Sequence, residues 1–279
     1  MKNWEDIISH TLFRYLDHTN LQTFLDKPYT ALTSFAIDDA IATAVSERKS
    51  PPVLRLWRHP KTIVLGIPDA KLPYIDEGVA FLEDTGYRVV VRNSGGLAVA
   101  LDETVLNLSL IVPDMQHLSI HDSYEAMVSF IKYMFRDLTT GIEAYEIVGS
   151  YCPGDYDLSI GGKKFAGISQ RRIKDAAAIQ IYLDINGNSK ERAQHIRKFY
   201  DLSKKNEETR FTYPVVLPEV MGSLSELLDF PLTVENVKER VYETLESFSE
   251  EIVQTDSSSF EEEAFEKRYG MMVKRNERK

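Results

Sequence analysis

GSYCPGDYDLSIGGKKFAGISQRR, residues 149–172, carries the only cysteine of the chain and the outline of a hairpin. Gly161-Gly162 is a two-residue turn signal, because glycine tolerates the positive φ that tight hairpin turns require. It joins YDLSI to KKFAGISQRRI, both rich in strand-forming residues. Cys152 lies before this hairpin, between a strand-like EIVGS and a Pro153-Gly154 turn, and so on a loop. The ordinary fate of a lone cysteine is to serve as a small buried hydrophobe. A loop flanked by turn formers is a poor place for that, and a functional thiol needs nearby cations to favour its thiolate. Lys163, Lys164, Arg171 and Arg172 are the candidates. On a strand, 164, 166 and 168 share one face and 163, 165 and 167 the other. Alternation by itself does not say which face meets a ligand, so either lysine could be a solvated strand charge.

Outward from this hairpin, VLRLWRH (53–59), KTIVLGI (61–67), YRVVVRN (87–93), VLNLSLIVP (105–113) and AAAIQIYLDI (176–185) read as strands, the first two joined by a tight turn at His59-Pro60. Helical periodicity marks 122–138 and 234–252. Ser34 and Ser189 stand where helix caps would, and 203–232, with several prolines, reads as irregular. The organisation expected is a helical extension over 1–32, a catalytic domain over 33–254, and a charged helical tail over 255–279 after the TDSSS hinge. Strands and helices without a strict βαβ rhythm predict an α+β fold with a mixed, largely antiparallel sheet. A second glycine-bearing segment, RNSGGLAV (92–99), follows a strand. It is neither of the standard nucleotide-binding glycine patterns, and on its own a Gly-Gly there reads as a turn.

The 279 residues carry 33 Lys+Arg against 43 Asp+Glu, a net charge of −10. That sign disfavours nucleic acid as a main partner. No apolar run reaches the length of a membrane span. The N-terminus has acids where an export signal would be basic, which predicts a cytoplasmic protein. One cysteine excludes an intrachain disulfide and a cysteine zinc cluster. His117 and His121 flank a helix start and read as solvated or structural.

Arg92-x-Ser94-Gly95-Gly96-x-x-Val99, followed some 65 residues later by Lys164-Phe165-Ala166-Gly167-Ile168-Ser169, resembles the cofactor-transferase family of biotin protein ligases, lipoate–protein ligases and octanoyltransferases. The resemblance covers about residues 35–250 and singles out Lys164 as the family's signature lysine. A cysteine just before the lysine hairpin resembles the Gram-positive octanoyltransferases, and Cys-Pro-Gly their amidotransferase branch. The resemblance implies a single biotin/lipoate-ligase-like domain, Cys152 as acyl-carrying nucleophile and Lys164 as its partner, lowering the thiol pKa and stabilising the substrate carbonyl. It implies Arg92, Ser94, Gly95, Gly96, Gly167 and Ser169 as substrate-binding residues, with no cofactor or metal. The implied acyl donor is the octanoylated glycine cleavage H protein and the acceptor a lysine of 2-oxo acid dehydrogenase E2 lipoyl domains. Rival readings are transfer from acyl carrier protein, ATP-dependent lipoate ligation, and a non-catalytic lipoyl-domain binder. Leu97 stands where the ATP-dependent ligases carry a third glycine, and a leucine there obstructs backbone approach to phosphate.

Overall fold

In a computed structural model, which describes residues 4–277, thirteen strands and eight α-helices form three sheets and two cores. The strands are β1 (His10–His18), β2 (Thr23–Phe24), β3 (Lys27–Pro28), β4 (Val53–Trp57), β5 (Thr62–Leu65), β6 (Arg88–Val91), β7 (Val99–Leu101), β8 (Val105–Val112), β9 (Ile142–Ala144), β10 (Leu158–Ile160), β11 (Lys163–Ile173), β12 (Ala176–Asp184) and β13 (Ser249–Val253). The helices are α1 (Glu5–Ile8), α2 (Ala31–Ser46), α3 (Ile75–Asp84), α4 (Ile120–Met134), α5 (Ser189–Lys204), α6 (Leu224–Leu228), α7 (Val234–Glu246) and α8 (Ser259–Asn276).

The main sheet has the order β13-β1-β4-β8-β12-β11-β10-β9. β1 runs parallel to both of its neighbours, and every other adjacent pair is antiparallel. Alternation along β8 and β12 separates the cores. Leu106, Leu108, Leu110, Ile179, Ile181 and Leu183 face α4 and α7. Ile111, Ala178 and Tyr182 face α2, α5, α8 and the small sheet β6-β5-β7. The fold is α+β, with a mixed, largely antiparallel sheet flanked by helices.

Several sequence expectations change at the chain's ends. Residues 10–18, expected within a helical extension, form a strand of the main sheet. β1 lies between two strands, and Phe13, Arg14 and Tyr15 are all buried in sequence. A strand covered on both faces shows no alternation to read. The helix expected over 234–252 stops at Glu246, and 249–253 is the edge strand β13 on β1. Phe248 and Ile252 keep a helical spacing only because both pack on the α4/α7 core. β4 and β5 do not pair; His59-Pro60 carries the chain from the main sheet to the small one. Thr30, not Ser34, caps α2, and the Ser34 hydroxyl instead meets His59 Nε2 at 2.8 Å. Part of the expected loop 203–232 forms the short α6, with Ser223 as its cap. The charged last helix is not a free tail: α8 packs on α2 and buries Phe265 and Met272 in the core.

Candidate active site

β6 delivers Arg92, and the loop after it carries Ser94, Gly95, Gly96 and Leu97. The segment after Gly149 delivers Cys152 opposite. Cys152 takes a left-handed backbone, φ 48°, unusual for a residue with a Cβ. Its sulfur accepts the Leu97 backbone N–H at 3.1 Å and faces Arg92 Nη2 at 3.4 Å. The same Nη2 donates to the Leu97 carbonyl at 2.8 Å, so Arg92 ties the loop together and meets the thiol in one gesture. Gly96, at φ +99°, is required here. A Cβ on it would overlap the Arg92 guanidinium and lie 2.9 Å from the Cys152 sulfur. Gly66 plays the matching part beneath, its α-carbon pressed against the Gly96 carbonyl so that no side chain fits between.

Lys164 is fully buried and takes four partners. Its Nζ pairs with Asp157 Oδ1 at 2.8 Å. It donates to the carbonyls of Cys152 (2.9 Å) and Tyr151 (3.0 Å) and to Ser150 Oγ (3.3 Å). It makes no hydrogen bond to the sulfur. The expected lysine is thus beside the cysteine, but it holds the main chain on which the thiol is mounted, while Arg92 is the cation at the thiol itself. Lys163, on the other face, is half-exposed and pairs with Glu226. Arg171 turns away to Asp39, and Arg172 donates to the carbonyls of Met115 and Leu118.

Cys152 and Arg92 open onto a narrow cavity of about 50 Å³. Its walls include Phe35, Trp57, Val64, Val99, Leu101 and Ile181, with Gly167, Ser169 and Gln180 on the β11/β12 side. Gly167 leaves room for the Tyr182 ring, which a Cβ would meet at 2.9 Å. Ser169 Oγ lies 3.3 Å from Gln180 Oε1. Ser94 is buried beside Arg92, its hydroxyl without a hydrogen-bond partner among the described residues, and Gly95 is exposed.

Four contributors escaped the sequence reading. Asp157 lies inside the quoted stretch, and a buried lysine needs an anion, so its spacing from Lys164 was an available signal. The Leu97 N–H had none, since a backbone donor is invisible in residue identity. Asp69 and Tyr200 come from distant segments. Asp69 accepts Gly66 N–H at 2.7 Å and Tyr200 hydroxyl at 3.0 Å, and that hydroxyl accepts Ala98 N–H at 3.3 Å. Burial pushes the Asp69 carboxyl up to about 6, against the pull of these donors and of Arg92. Together they brace the loop from behind.

The profile of the lipoyl protein ligase A/B catalytic domain matches residues 30–246. The chain belongs to that family. Among its family relatives, the octanoyl-[GcvH]:protein N-octanoyltransferase of Oceanobacillus iheyensis is 64% identical over 99% of both chains. The same-named protein of Geobacillus kaustophilus is 48% identical over 98% of this chain and 95% of its own. The lipoyl-[GcvH]:protein N-lipoyltransferase of Listeria monocytogenes is 45% identical over 98% and 97%. The fold is shared with a bipartite lipoate protein ligase from Thermoplasma acidophilum, at TM-score 0.68 and 18% identity over 94% of this chain and 93% of that one. It is shared equally with lipoate-protein ligase A bound with ATP, at TM-score 0.68 and 16% identity over 92% and 93%. Within this family framework, the Leu97 position has a definite geometry here: its N–H is already directed at a sulfur.

Proposed function

We propose that the chain moves an octanoyl group from the glycine cleavage H protein to the lipoyl-domain lysine of E2 subunits, through a thioester on Cys152. The observation that carries this reading is the placement of the chain's only thiol. It sits at the opening of an apolar cavity, under a backbone N–H and a guanidinium. Relatives named as octanoyl-[GcvH]:protein N-octanoyltransferases, aligned from end to end, support the choice of donor and acyl group. A free thiol nucleophile also fits a reducing, cytoplasmic setting, and among the described residues no helix is long and apolar enough to cross a membrane.

The Cys152 thiolate attacks the carbonyl carbon of the octanoyl-lysine amide. A C–S bond forms, the C–N bond breaks, and the donor lysine leaves as an amine after taking a proton. The acceptor lysine then attacks the thioester carbonyl, the C–S bond breaks, and the thiolate is restored. Two steps at a covalent centre replace one direct attack of an amine on an unreactive amide. Arg92 and the Leu97 N–H stabilise the thiolate before attack and again as leaving group. Lys164 fixes the Cys152 carbonyl and with it the strained backbone that aims the sulfur. The cavity takes the acyl chain, at about 0.8 kcal/mol per buried methylene.

Intact-mass measurement after incubation with octanoylated H protein tests the proposal. One octanoyl group, removable by hydroxylamine, is expected on the wild type and absent from Cys152→Ser. Loading from octanoyl-acyl carrier protein but not from the H protein would reassign the donor. Wild-type turnover by Cys152→Ser would end the thioester mechanism.

A further inference from the structure

The C-terminal helix α8 has no part in the family motifs, yet its last residue reaches the strand that delivers Arg92. β6 is an edge strand, bonded on one side to β5 and open on the other. An open edge leaves backbone N–H and C=O groups unpaired. At Val91, the residue before Arg92, those groups are taken by one side chain from 185 residues away. Asn276 Oδ1 accepts the Val91 N–H at 2.7 Å, and Asn276 Nδ2 donates to the Val91 carbonyl at 3.1 Å. The same Nδ2 donates to the Met272 carbonyl at 2.9 Å, locking the amide to its own helix. Only an amide offers donor and acceptor side by side in this way. On the opposite side, the Arg92 N–H donates to the Leu65 carbonyl at 2.9 Å. The backbone entering Arg92 is therefore clamped from both sides, by β5 and by Asn276.

We infer that Asn276 is a positioning residue for the thiol-acylation step, acting through Val91 to hold Arg92 against Leu97 and the Cys152 sulfur. The inference rests on the reading of Cys152 as the nucleophile. Arg92 Nη2 has two contacts to keep, 2.8 Å to the Leu97 carbonyl and 3.4 Å to the sulfur. A small tilt of β6 away from β5 loses both, because the guanidinium is a rigid planar fork. Asn276 does not line the cavity beside Cys152, so the effect falls on the chemical step rather than on binding of the acyl chain.

The test compares Asn276→Leu with Arg268→Ala in the full-length chain. Arg268 lies on the same helix, and its hydrogen bond and ion pair go to Thr43 and Asp39 of α2 rather than to β6. Asn276→Leu is expected to lower kcat for thioester formation about tenfold, the scale of a small misplacement of a reacting group, with KM unchanged. It is also expected to slow Cys152 alkylation by iodoacetamide, while Arg268→Ala leaves both as in the wild type. Should Asn276→Leu not fold, Asn276→Ser, too short to make either Val91 bond, is read in the same way. A wild-type kcat and alkylation profile in the Asn276 variant would overturn the inference, and so would equal losses in both helix variants. The alkylation arm needs no acyl donor, so it reports on Asn276 even if Cys152→Ser shows that the nucleophile lies elsewhere.

Discussion

Replacing Lys164 with methionine separates what this lysine does for the fold from what it does for the reaction. The Lys164 and Asp157 side chains are 0% and 3% exposed and 2.8 Å apart. Removing the lysine strands a buried carboxylate, and breaking such a pair costs about 3–5 kcal/mol. The carbonyls of Tyr151 and Cys152 lose their donor as well. Burial already pushes the Asp157 carboxyl up, with the Lys164 charge as the chief opposing influence. Without that charge the carboxyl rises further, which lets it protonate and trims the penalty toward the lower figure. Over 279 residues, an unfolding entropy of about 2.1 cal/mol/K per residue makes that loss a fall in Tm of roughly 5–8 °C. The double variant Lys164→Met/Asp157→Asn removes both charges and keeps an acceptor for the Ile147 N–H. It should regain most of the lost stability, because deleting both members of a buried pair is often near neutral. It should not regain acyl loading, because the Cys152 carbonyl still lacks its anchor. Scanning calorimetry gives the first quantity and intact-mass loading with octanoylated H protein the second. A single variant within about 1 °C of wild type would refute the ion-pair reasoning, and a double variant that loads at the wild-type rate would refute the anchoring role.

Gly96→Ala should lower thiol acylation by an order of magnitude or more, because its Cβ overlaps the Arg92 guanidinium and its φ is +99°; single-turnover kinetics measure this, and a change under twofold would count against it. Arg92→Leu should slow iodoacetamide reaction of Cys152 near neutral pH by removing the cation 3.4 Å from sulfur; an unchanged rate–pH curve would exclude that role. Acid stability depends on His59, whose imidazole is pushed down to about 3 by burial and then by the charges of Arg55 and Arg88. Its folded value lies below the unfolded one, so its contribution is complete above about pH 6.5 and is lost as pH falls toward 3, at up to about 1.4 kcal/mol per pH unit. Asp69 and Asp184, both raised to about 6 chiefly by burial, pull the other way between about pH 4 and 6, while His18, also pushed down to about 3, adds to His59. Removing His59 isolates its share: His59→Gln, which can still bond Ser34, should lose less stability than the wild type between about pH 7 and 4 in a Tm series; an identical slope in the variant would remove His59 from the account.

The hairpin that carries Lys164 was legible because its information is local. Gly161 and Gly162 have φ of +57° and +74°, the conformation their identity invites. The strands of the middle of the sheet were legible for a similar reason: β8 and β12 are long, uninterrupted and rich in branched residues. The sheet edge was not. β13 and β1 come from opposite ends of the chain, and β1 is covered on both faces, so neither periodicity nor proximity in sequence marks them. In the site, Arg92, Gly96 and Lys164 were marked by the family resemblance and Cys152 by its loop position, and the structure brings these four close together. The geometry that assigns the thiol's cation to Arg92 rather than to Lys164 depends on where two loops meet, which no spacing encodes.

That assignment also bears on what Leu97 does. From sequence, a leucine at this loop position reads as an obstruction, a side chain where a phosphate would need bare backbone. The structure adds a positive role. The Leu97 N–H is spent on the Cys152 sulfur, and its carbonyl on Arg92, so both polar groups of the residue serve the thiol. The nearest acceptor for this N–H is the Cys152 sulfur, tethered 3.1 Å away. A glycine in its place would free the loop to move and weaken both bonds. Leu97→Gly should therefore make Cys152 alkylation slower while leaving Tm within about 2 °C, a pairing that simple relief of steric obstruction would not produce; faster alkylation would show that the side chain only shields the thiol.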